Sequence, residues 1–292
     1  MIEKLDLYRI FNTVGNNDSF SQAAKELFMT QSAVSQAISK LESSLKVQLF
    51  HRTSKGVQLT SEGKQLKEHV SSALGIIQMA EDNLTEFKTL RTGHLRIGVG
   101  DTISRYFLLP YLEEFHTAYP GIKLNILNGT TKEICSFVKE GKADIGFCNL
   151  PVTDGHLEVI PCQDIQDIFV CGEKYKKIAK KPVSFAYLLR MPLIFLEKKA
   201  VSRLYVEGFL KEKGYSISPA FELGSHDLLL EFAKINLGVS CVTKEFSKEY
   251  LDSGALYEVK LEEDIPKRSI GIVYLKNIQL THAAKKFVDS IK

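Results

Sequence analysis

The sequence predicts an α/β protein with an all-α segment at its N-terminus, and three patterns predict this fold class. Apolar residues in the first 41 positions recur at helical spacing and follow helix caps. An apolar residue at every third or fourth position then continues from residue 66 to residue 87. From residue 95 onward, short apolar runs alternate with helical segments of about ten residues, which indicates parallel βαβ units. At 292 residues the chain is long enough for two domains.

The segment from Ser19 to Leu41 predicts two short helices joined by a tight turn. Ser19, with Gln22 three residues on, is a capping box that begins the first helix, and Thr30 caps the second. The predicted buried side of the first helix consists of Phe20, Ala23, Ala24, Leu27 and Phe28. The apolar stripe of the second helix consists of Val34, Ile38 and Leu41.

The second helix also has a face of hydroxyl and amide side chains. An ordinary solvated face carries Lys and Glu, whereas this one has a single cation, Lys40, at its end. Short hydroxyls and amides can approach base edges and phosphates in a major groove without bulk. Packing of a Ser- and Ala-rich helix against another helix is the alternative, and this helix alone does not decide between them. The predicted DNA-contacting residues are Thr30, Gln31, Ser32, Ser35, Gln36 and Ser39.

The residues on either side of this helix pair complete a small domain. Upstream, an amphipathic helix is predicted from Leu5, Leu7, Tyr8, Phe11 and Val14. Downstream, residues 49–60 predict a hairpin with its turn at residues 54–56. Arg52 and Lys55 lie where a wing would reach a phosphate backbone or a minor groove. Three helices followed by a basic hairpin predict a winged helix-turn-helix.

The residues from Ala23 to Gly63 resemble the N-terminal domain of LysR-type transcriptional regulators, a bacterial family. The residues that keep the family spacing are Ala23, Ala24, Thr30, Gln31, Ser35, Leu41, Glu42, Leu49, Phe50, Arg52, Leu59 and Thr60. Two positions depart from the family pattern: Ser32 replaces a common Pro, and Lys55 replaces a common second Arg of the wing. The first change loosens the start of the helix. The second replaces the planar guanidinium group of Arg by the compact ammonium group of Lys, so a minor-groove contact there should be less selective.

The resemblance extends over the whole chain and implies three domains. These are a winged helix-turn-helix DNA-binding domain at residues 1–59, a linker and dimerisation helix at residues 60–91, and an effector-binding domain at residues 92–292. In the family, this last domain has two Rossmann-like α/β subdomains that resemble periplasmic binding proteins. Subdomain I would comprise about residues 93–161 and 268–292, and subdomain II about residues 162–267. The chain would cross between them near Pro161-Cys162 and Pro266-Lys267.

The long helix after Thr60 carries a heptad seam. The seam consists of Leu66, Val70, Ala73, Ile77, Ala80, Leu84 and Phe87. The following domain could cover this seam, but pairing with the same helix of another chain is favoured, because a rod of about 40 Å outreaches a compact neighbour. The resemblance supports a homodimer whose two heads would read an inverted repeat, and a homotetramer as the arrangement common in the family.

Three segments that follow predicted strands carry hydroxyl and charged side chains near the starts of helices. Because ligands of open α/β sheets bind beyond the carboxyl ends of strands, these segments predict an effector site. The resemblance brings matching positions together in one cleft between the subdomains. Hydroxyls that only cap their own helices are the alternative. The predicted effector-binding residues are Asp101, Thr102, Ser104, Asn128, Thr130, Thr131, Lys198, Ser202 and Arg203.

The predicted effector is a small carboxylate or an inorganic anion, because hydroxyls, helix N-termini and the cations Lys198, Lys199 and Arg203 favour negative charge. Asp101 argues against an anion unless its carboxylate faces away or pairs with a cation. The sequence predicts no other cofactor. The predicted partners are double-stranded promoter DNA and further copies of the chain, and the resemblance adds RNA polymerase as a candidate.

Composition excludes several other classes of protein. The formal net charge of +3 is too small for a non-specific polycation, so DNA affinity must come from local basic groups. The five cysteines are widely spaced, which argues for reduced thiols and against a zinc site, with redox sensing by one of them as the less favoured alternative. No apolar run approaches the ~20 residues that cross a bilayer, and no secretory pattern begins the chain, so we expect a cytoplasmic protein.

An enzyme and a plain solute-binding module are the two rival classes. Residues 98–101 (GVGD) match the start of a dinucleotide fingerprint, but its third glycine would fall at Ile103. The sequence contains no HExxH or GxSxG motif, so it predicts no catalytic residue, no metal site and no enzyme. A solute-binding module leaves the N-terminal helices and the missing export signal unexplained.

Overall fold

The computed structural model describes residues 5–53, 56–86 and 92–291, apart from the side chains of residues 52, 53 and 82–86. The chain forms two compact units, and the main boundary lies between residues 87 and 88. The first unit contains helices and a hairpin, and the second contains two five-stranded sheets with helices. The predicted fold class, α/β with an all-α winged head, is confirmed.

The first unit consists of three short helices, a hairpin and a long helix. Its elements are α1 (Leu5–Asn17), α2 (Phe20–Glu26), α3 (Gln31–Leu45), β1 (Phe50–Thr53), β2 (Gly56–Leu59) and α4 (Ser61–Glu86). The two strands pair antiparallel, with Phe50 opposite Leu59. The predicted turn residues Ser54 and Lys55 lie outside the described residues.

Side-chain caps fix the starts of α2, α3 and α4. The Ser19 hydroxyl accepts a hydrogen bond from the Gln22 N–H at 3.3 Å. The Thr30 hydroxyl accepts one from the Ala33 N–H at 3.2 Å, and Thr60 caps α4 in the same way at 2.9 Å. Each cap satisfies a backbone donor that the first turn of a helix leaves unpaired, as the sequence pattern predicted.

The short helices close around an apolar core. Phe11, Val14, Ala23 and Val34 are fully buried in it. The prediction that Phe28 also belongs to this buried side is wrong, because its side chain is 97% exposed. The backbone of Phe28 has a φ of +53°, and this left-handed conformation turns the ring away from the core.

Glu42 joins α3 to the hairpin. Its carboxylate accepts hydrogen bonds from the N–H groups of Leu49 at 2.7 Å and Phe50 at 3.1 Å. Hydrogen bonds to an ionised acceptor are stronger than neutral ones. Leu49 and Phe50 are themselves buried, so the position of β1 is set from α3.

The first half of α4 belongs to the core of the first unit. Val70 is buried there, and Leu66 and Leu74 pack against the same cluster. The Lys67 ammonium group donates a hydrogen bond to the Gly15 carbonyl at 2.6 Å. Val70 of the predicted dimer seam is therefore buried within its own protomer, and Leu66 is partly buried there.

The seam becomes exposed farther along α4. Ala73 and Ala80 are exposed, and Ile77 is 39% exposed. The side chain of Leu84 and the whole of Phe87 lie outside the described residues. Among the described side chains, the exposed residues of the apolar stripe therefore begin at residue 73.

The second unit alternates strands and helices. Its strands are β3 (Gly93–Val99), β4 (Ile122–Asn128), β5 (Ile145–Asn149), β6 (Leu157–Ile165), β7 (Asp167–Cys171), β8 (Leu193–Leu196), β9 (Phe221–Leu223), β10 (Val239–Thr243), β11 (Tyr257–Val259) and β12 (Arg268–Leu275). Its helices are α5 (Asp101–Ile103), α6 (Leu109–Ala118), α7 (Thr131–Lys139), α8 (Phe185–Leu188), α9 (Val201–Glu212), α10 (His226–Lys234), α11 (Lys248–Asp252) and α12 (His282–Ile291). A π-helical turn at Ser104–Leu108 joins α5 to α6.

Both sheets of this unit are mixed. The first sheet has the order β4-β3-β5-β12-β6, and the second has the order β11-β7-β10-β8-β9. The neighbours of β3 and of β8 are parallel to them. In contrast, β12 is antiparallel to β5 and β6, and β7 is antiparallel to β10 and β11. The predicted parallel units are therefore correct for β3 and β8 and wrong for the strands at the crossings between the sheets.

The chain crosses between the two sheets at two places. β6 continues to Ile165 in the first sheet, and β7 begins at Asp167 in the second, so the first crossing is at Gln166. The predicted crossing at Pro161-Cys162 is wrong, because β6 stays paired with β12 beyond that point. The return lies between β11 and β12, in a segment that includes Pro266-Lys267.

Candidate functional site

The start of α3 carries the face that the sequence singled out. Gln31, Ser32, Gln36 and Ser39 are exposed, and Ser35 is half-buried. These side chains therefore lie on the surface of the described first unit, which disfavours the alternative in which they pack against another helix of the same protomer.

Local hydrogen bonds orient the first residues of this face. The Gln31 side-chain carbonyl accepts a hydrogen bond from the Ser21 hydroxyl at 3.1 Å. The hydroxyls of Thr30 and Ser32 are 3.1 Å apart. Because the N-terminus of a helix also favours negative charge, this surface suits contact with a phosphate as well as with base edges.

Arg52 and Lys55 are the two predicted cations of the wing. Arg52 lies on β1 opposite Val57, and its side chain is outside the description. Lys55 is outside the described residues altogether.

The second unit contains a cavity of about 500 Å³ between its two sheets. Segments that follow β3, β4 and β8 line it, as expected for the carboxyl ends of strands in open α/β sheets. Of the predicted effector-binding residues, those that line the cavity are Asp101, Thr102, Asn128, Thr130, Thr131 and Ser202.

The other three predicted residues lie elsewhere. Lys199 lines the cavity in place of Lys198. Arg203 is buried, and its guanidinium group bonds the Glu207 carboxylate at 2.8 Å and the Leu196 carbonyl at 2.7 Å, so it ties α9 to β8. Ser104 lines an adjoining cavity of about 440 Å³.

Two of the cavity residues bond neighbours from the same wall. The N–H and the hydroxyl of Thr130 both donate to one Glu133 carboxylate oxygen at 2.8 Å, which lowers the pKa of this exposed carboxyl. The Thr130 hydroxyl is therefore used in capping α7. Asp101 accepts a hydrogen bond from the Asn128 amide at 2.5 Å, so its observed partner is a neutral group rather than a cation.

A buried ion pair at the base of the cavity was not predicted from the sequence. Two nitrogens of Arg268 donate to the Asp167 carboxylate at 2.6 and 2.8 Å. Arg268 also bonds Asn149 at 2.5 Å and Thr243 at 3.2 Å. The sequence signal for this pair is that Asp167 directly precedes the run IFVC, and Arg268 directly precedes the run SIGIVYL.

His226, at the start of α10, lines the same cavity. It is only 4% exposed, and its Nε2 accepts a hydrogen bond from the Thr243 N–H at 3.2 Å. Within the described chain, Nδ1 has no hydrogen-bond partner. Because Nε2 is an acceptor, Nδ1 carries the proton of the neutral ring and presents an unused donor. Burial lowers the pKa of His226 to about 4.

The next residue, Asp227, connects α10 to the segment after β3. Its carboxylate accepts a hydrogen bond from the Tyr106 hydroxyl and pairs with Arg105 at 3.2 Å. The Tyr106 ring is stacked on Phe246 with centroids 5.3 Å apart. Burial and the Asp227 carboxylate raise the pKa of Tyr106 above its usual range. Asp227 thus holds together elements that follow strands of different sheets.

The cysteines have the character of unreactive thiols. Cys162 is partly buried and the other cysteines are buried. Burial raises the pKa of Cys162 and Cys171 to about 11. A raised pKa disfavours the thiolate, which is the nucleophile and metal ligand. Among the described residues, no group of His, Cys, Asp and Glu is placed to hold a metal ion.

Two family profiles match these two units. Residues 5–64 match the description "Bacterial regulatory helix-turn-helix protein, lysR family", and residues 88–292 match "LysR substrate binding domain". The chain belongs to the LysR family. It is therefore a DNA-binding transcriptional regulator with an effector-binding domain, and the prediction that it is not an enzyme is confirmed. Within the part of the chain that the structure describes, no helix is long and apolar enough to cross a membrane.

Named LysR-type relatives align with nearly the full chain. The HTH-type transcriptional activator CmpR of Synechocystis is 24% identical over 285 residues, which cover 98% of this chain and 93% of the relative. The uncharacterised regulator YcaN of Escherichia coli is 30% identical over 294 residues, with 98% and 93% covered.

Solved structures of LysR-type regulators share the fold. A full-length OxyR variant from Pseudomonas aeruginosa has a TM-score of 0.77 at 20% identity, and the match covers 100% of this chain and 95% of that one. CbnR in complex with its target DNA has a TM-score of 0.66 at 17% identity, with 99% and 98% covered. At these identities, the likeness shows the fold alone.

The neutral His226 of this LysR-type protein should make its stability depend on pH. Its folded pKa of about 4 lies below its ordinary value of 6.5. The contribution of His226 to folding stability is therefore fully present above pH 6.5. It is lost as the pH falls toward 4, because the imidazole of His226 binds a proton more readily in the unfolded chain than in the folded one. We expect this group to lower the free energy of unfolding by about 3 kcal/mol across that window.

Chemical denaturation of the full chain at pH 7 and pH 4.5 measures the effect. The variant H226Q should lose less stability on acidification than the wild type, whereas H156Q, at an exposed histidine, should follow the wild type. Equal losses in H226Q and the wild type would contradict the assignment.

Proposed function

We propose that the chain reads promoter DNA with the first turns of α3 and with the hairpin, and responds to a small effector in the cavity of its second unit. The observation that carries the DNA contact is the exposed hydroxyl and amide face at the capped start of α3. Thr30, Gln31, Ser32, Ser35, Gln36 and Ser39 would face bases or nearby phosphates, and Arg52 and Lys55 would contact the backbone or minor groove. We retain the division into residues 1–59, 60–91 and 92–292.

Binding measurements on duplexes selected from a randomised pool test the DNA face. Q31A and S35A should lose discrimination between selected and scrambled duplexes by about tenfold, since contacts to base edges carry sequence information. R52A should weaken binding evenly and reduce the salt slope by roughly one.

The matched control is S44A, because Ser44 lies on the same helix and its hydroxyl bonds the Leu41 carbonyl at 2.8 Å. It should bind like the wild type. Unchanged discrimination in both Q31A and S35A would show that α3 does not enter the groove.

The cavity favours an effector with an anionic group and additional hydrogen-bond donors. Lys199, the uncapped N-terminus of α9 and Nδ1–H of His226 can all stabilise an anionic oxygen. On the other wall, Asp101 and Glu133 carry negative charge. A small carboxylate that also bears hydroxyl or amino groups fits both walls better than an inorganic anion does. Of the two effector classes expected from the sequence, we therefore favour the carboxylate.

Calorimetric titration with a panel of carboxylates, with and without hydroxyl or amino groups, tests this site. K199A should weaken the binding of the best ligand by roughly threefold to tenfold, as expected for one partly exposed charge. The adjacent lysine supplies the control: K198A should bind as the wild type does. Equal losses in both variants would point to a general charge effect outside the cavity.

We further propose that α4 forms a dimer through its exposed stripe. Ala73 and Ala80 allow close approach of two helices, and Ile77 supplies the apolar contact between them. The region before residue 73 contributes to the head of its own protomer.

Equilibrium sedimentation tests the dimer. The wild type should contain no monomer at micromolar concentration, and I77E should shift toward monomer because it places two charges in the seam. Q65E, on another side of α4, should sediment like the wild type. A monomeric wild type would exclude pairing through α4.

A further inference from the structure

Phe28 is an unusual residue on the surface of the first unit. Its side chain is 97% exposed, although the flanking Leu27 packs against the core. Its φ of +53° lies in the left-handed region, which bulky side chains rarely adopt. The short turn is fixed on both sides, since the Phe28 N–H donates to the Lys25 carbonyl at 3.3 Å and the Met29 N–H donates to the Ala24 carbonyl at 2.9 Å.

This arrangement is unfavourable for the free protein in two respects. A left-handed backbone is strained for phenylalanine, whereas Gly adopts it freely and Asn tolerates it. An aromatic ring in water also gains none of the stabilisation that burial would provide. A residue that is strained and uncovered in the folded state points to a role in binding.

The position of Phe28 indicates what covers the ring. It lies two residues before Thr30, the cap of α3, whose hydroxyl is beside Ser32. Beside Phe28 in the turn, Met29 is 38% exposed, and the exposed side chains around this pair, Lys25 and Gln31, are polar. A protein partner would be expected to meet a contiguous apolar patch larger than these two side chains form, whereas one ring and one thioether among hydroxyl, amide and basic groups match a nucleic-acid surface.

We infer that Phe28 contacts duplex DNA at the edge of the groove that α3 enters, by packing on deoxyribose and thymine methyl groups. Aromatic contact with the thymine methyl is an established form of readout. The inference rests on the proposed function, because it requires the first turn of α3 to face the groove. The Phe28 contact would add an apolar, salt-independent contribution to the binding free energy. The rest of the proposed interface consists of hydroxyls, amides and cations.

The test uses the full chain and a fluorescent duplex selected by the wild type from a randomised pool. F28N should weaken binding by about fivefold to tenfold, since it removes one apolar contact. The slope of log K against log salt should not change, because no phosphate contact is lost. F28L should retain most of the affinity. L5N, at another exposed apolar residue of the same unit, should bind like the wild type.

Thermal unfolding of the same variants completes the test. F28N should have a midpoint equal to or above that of the wild type, because Asn accepts the left-handed backbone and no buried contact is lost. A lower midpoint would overturn the inference by showing that Phe28 serves folding. Unchanged DNA affinity in F28N, or a changed oligomeric state with unchanged affinity, would also overturn it.

The inference and the proposed function fail in different ways. If Q31A loses discrimination and F28N binds normally, only the role of Phe28 is wrong. If Q31A and S35A both keep full discrimination, the placement of α3 is wrong, and the role of Phe28 fails with it.

Discussion

The second unit depends on the buried ion pair between Arg268 and Asp167. Asp167 begins β7 just after the chain leaves the first sheet, and Arg268 begins β12 just after the chain returns. Both side chains are nearly inaccessible to water. Removing one member of such a pair leaves an uncompensated buried charge, which typically costs about 3–5 kcal/mol. The pair therefore fixes the two crossing segments next to each other and defines the base of the cavity.

The first unit is held together by hydrogen bonds to one carboxylate and by apolar packing. The Glu42 carboxylate fixes the hairpin against α3, and the core side chains of α4 fix the long helix against the same domain. The exposed polar face of α3 and the exposed apolar stripe of α4 thus belong to the same compact unit.

Local sequence patterns predicted the elements whose stability is local. The hydroxyl caps at Ser19, Thr30 and Thr60 and the apolar spacing around them located the helices of the first unit closely. The same reasoning failed where the backbone leaves the helical conformation. Phe28 continues an apolar stripe in the sequence, but α2 ends at Glu26. The left-handed backbone of Phe28 itself then turns its ring away from the core.

The cavity was predictable in outline, and its buried chemistry was not. Hydroxyls after β3, β4 and β8 marked its rim, because the carboxyl ends of strands are a property of topology. Arg203 lies in the first turn of α9 and Arg268 begins β12, and the sequence around them does not distinguish their roles. Burial distinguishes their roles: Arg203 serves α9, and Arg268 pairs with a residue 101 positions away. No local pattern could associate residues so far apart.

Two consecutive residues at the start of α10 lie against the same tyrosine: the ring centroids of His226 and Tyr106 are 5.4 Å apart, and Asp227 accepts the hydrogen bond of the Tyr106 hydroxyl. His226 borders the cavity. Asp227 accepts a hydrogen bond from Tyr106 and forms an ion pair with Arg105, both on the segment after β3. A ligand that bonds Nδ1–H of His226 would therefore bear on the Asp227 contacts one residue away, because both residues lie in the first turn of α10.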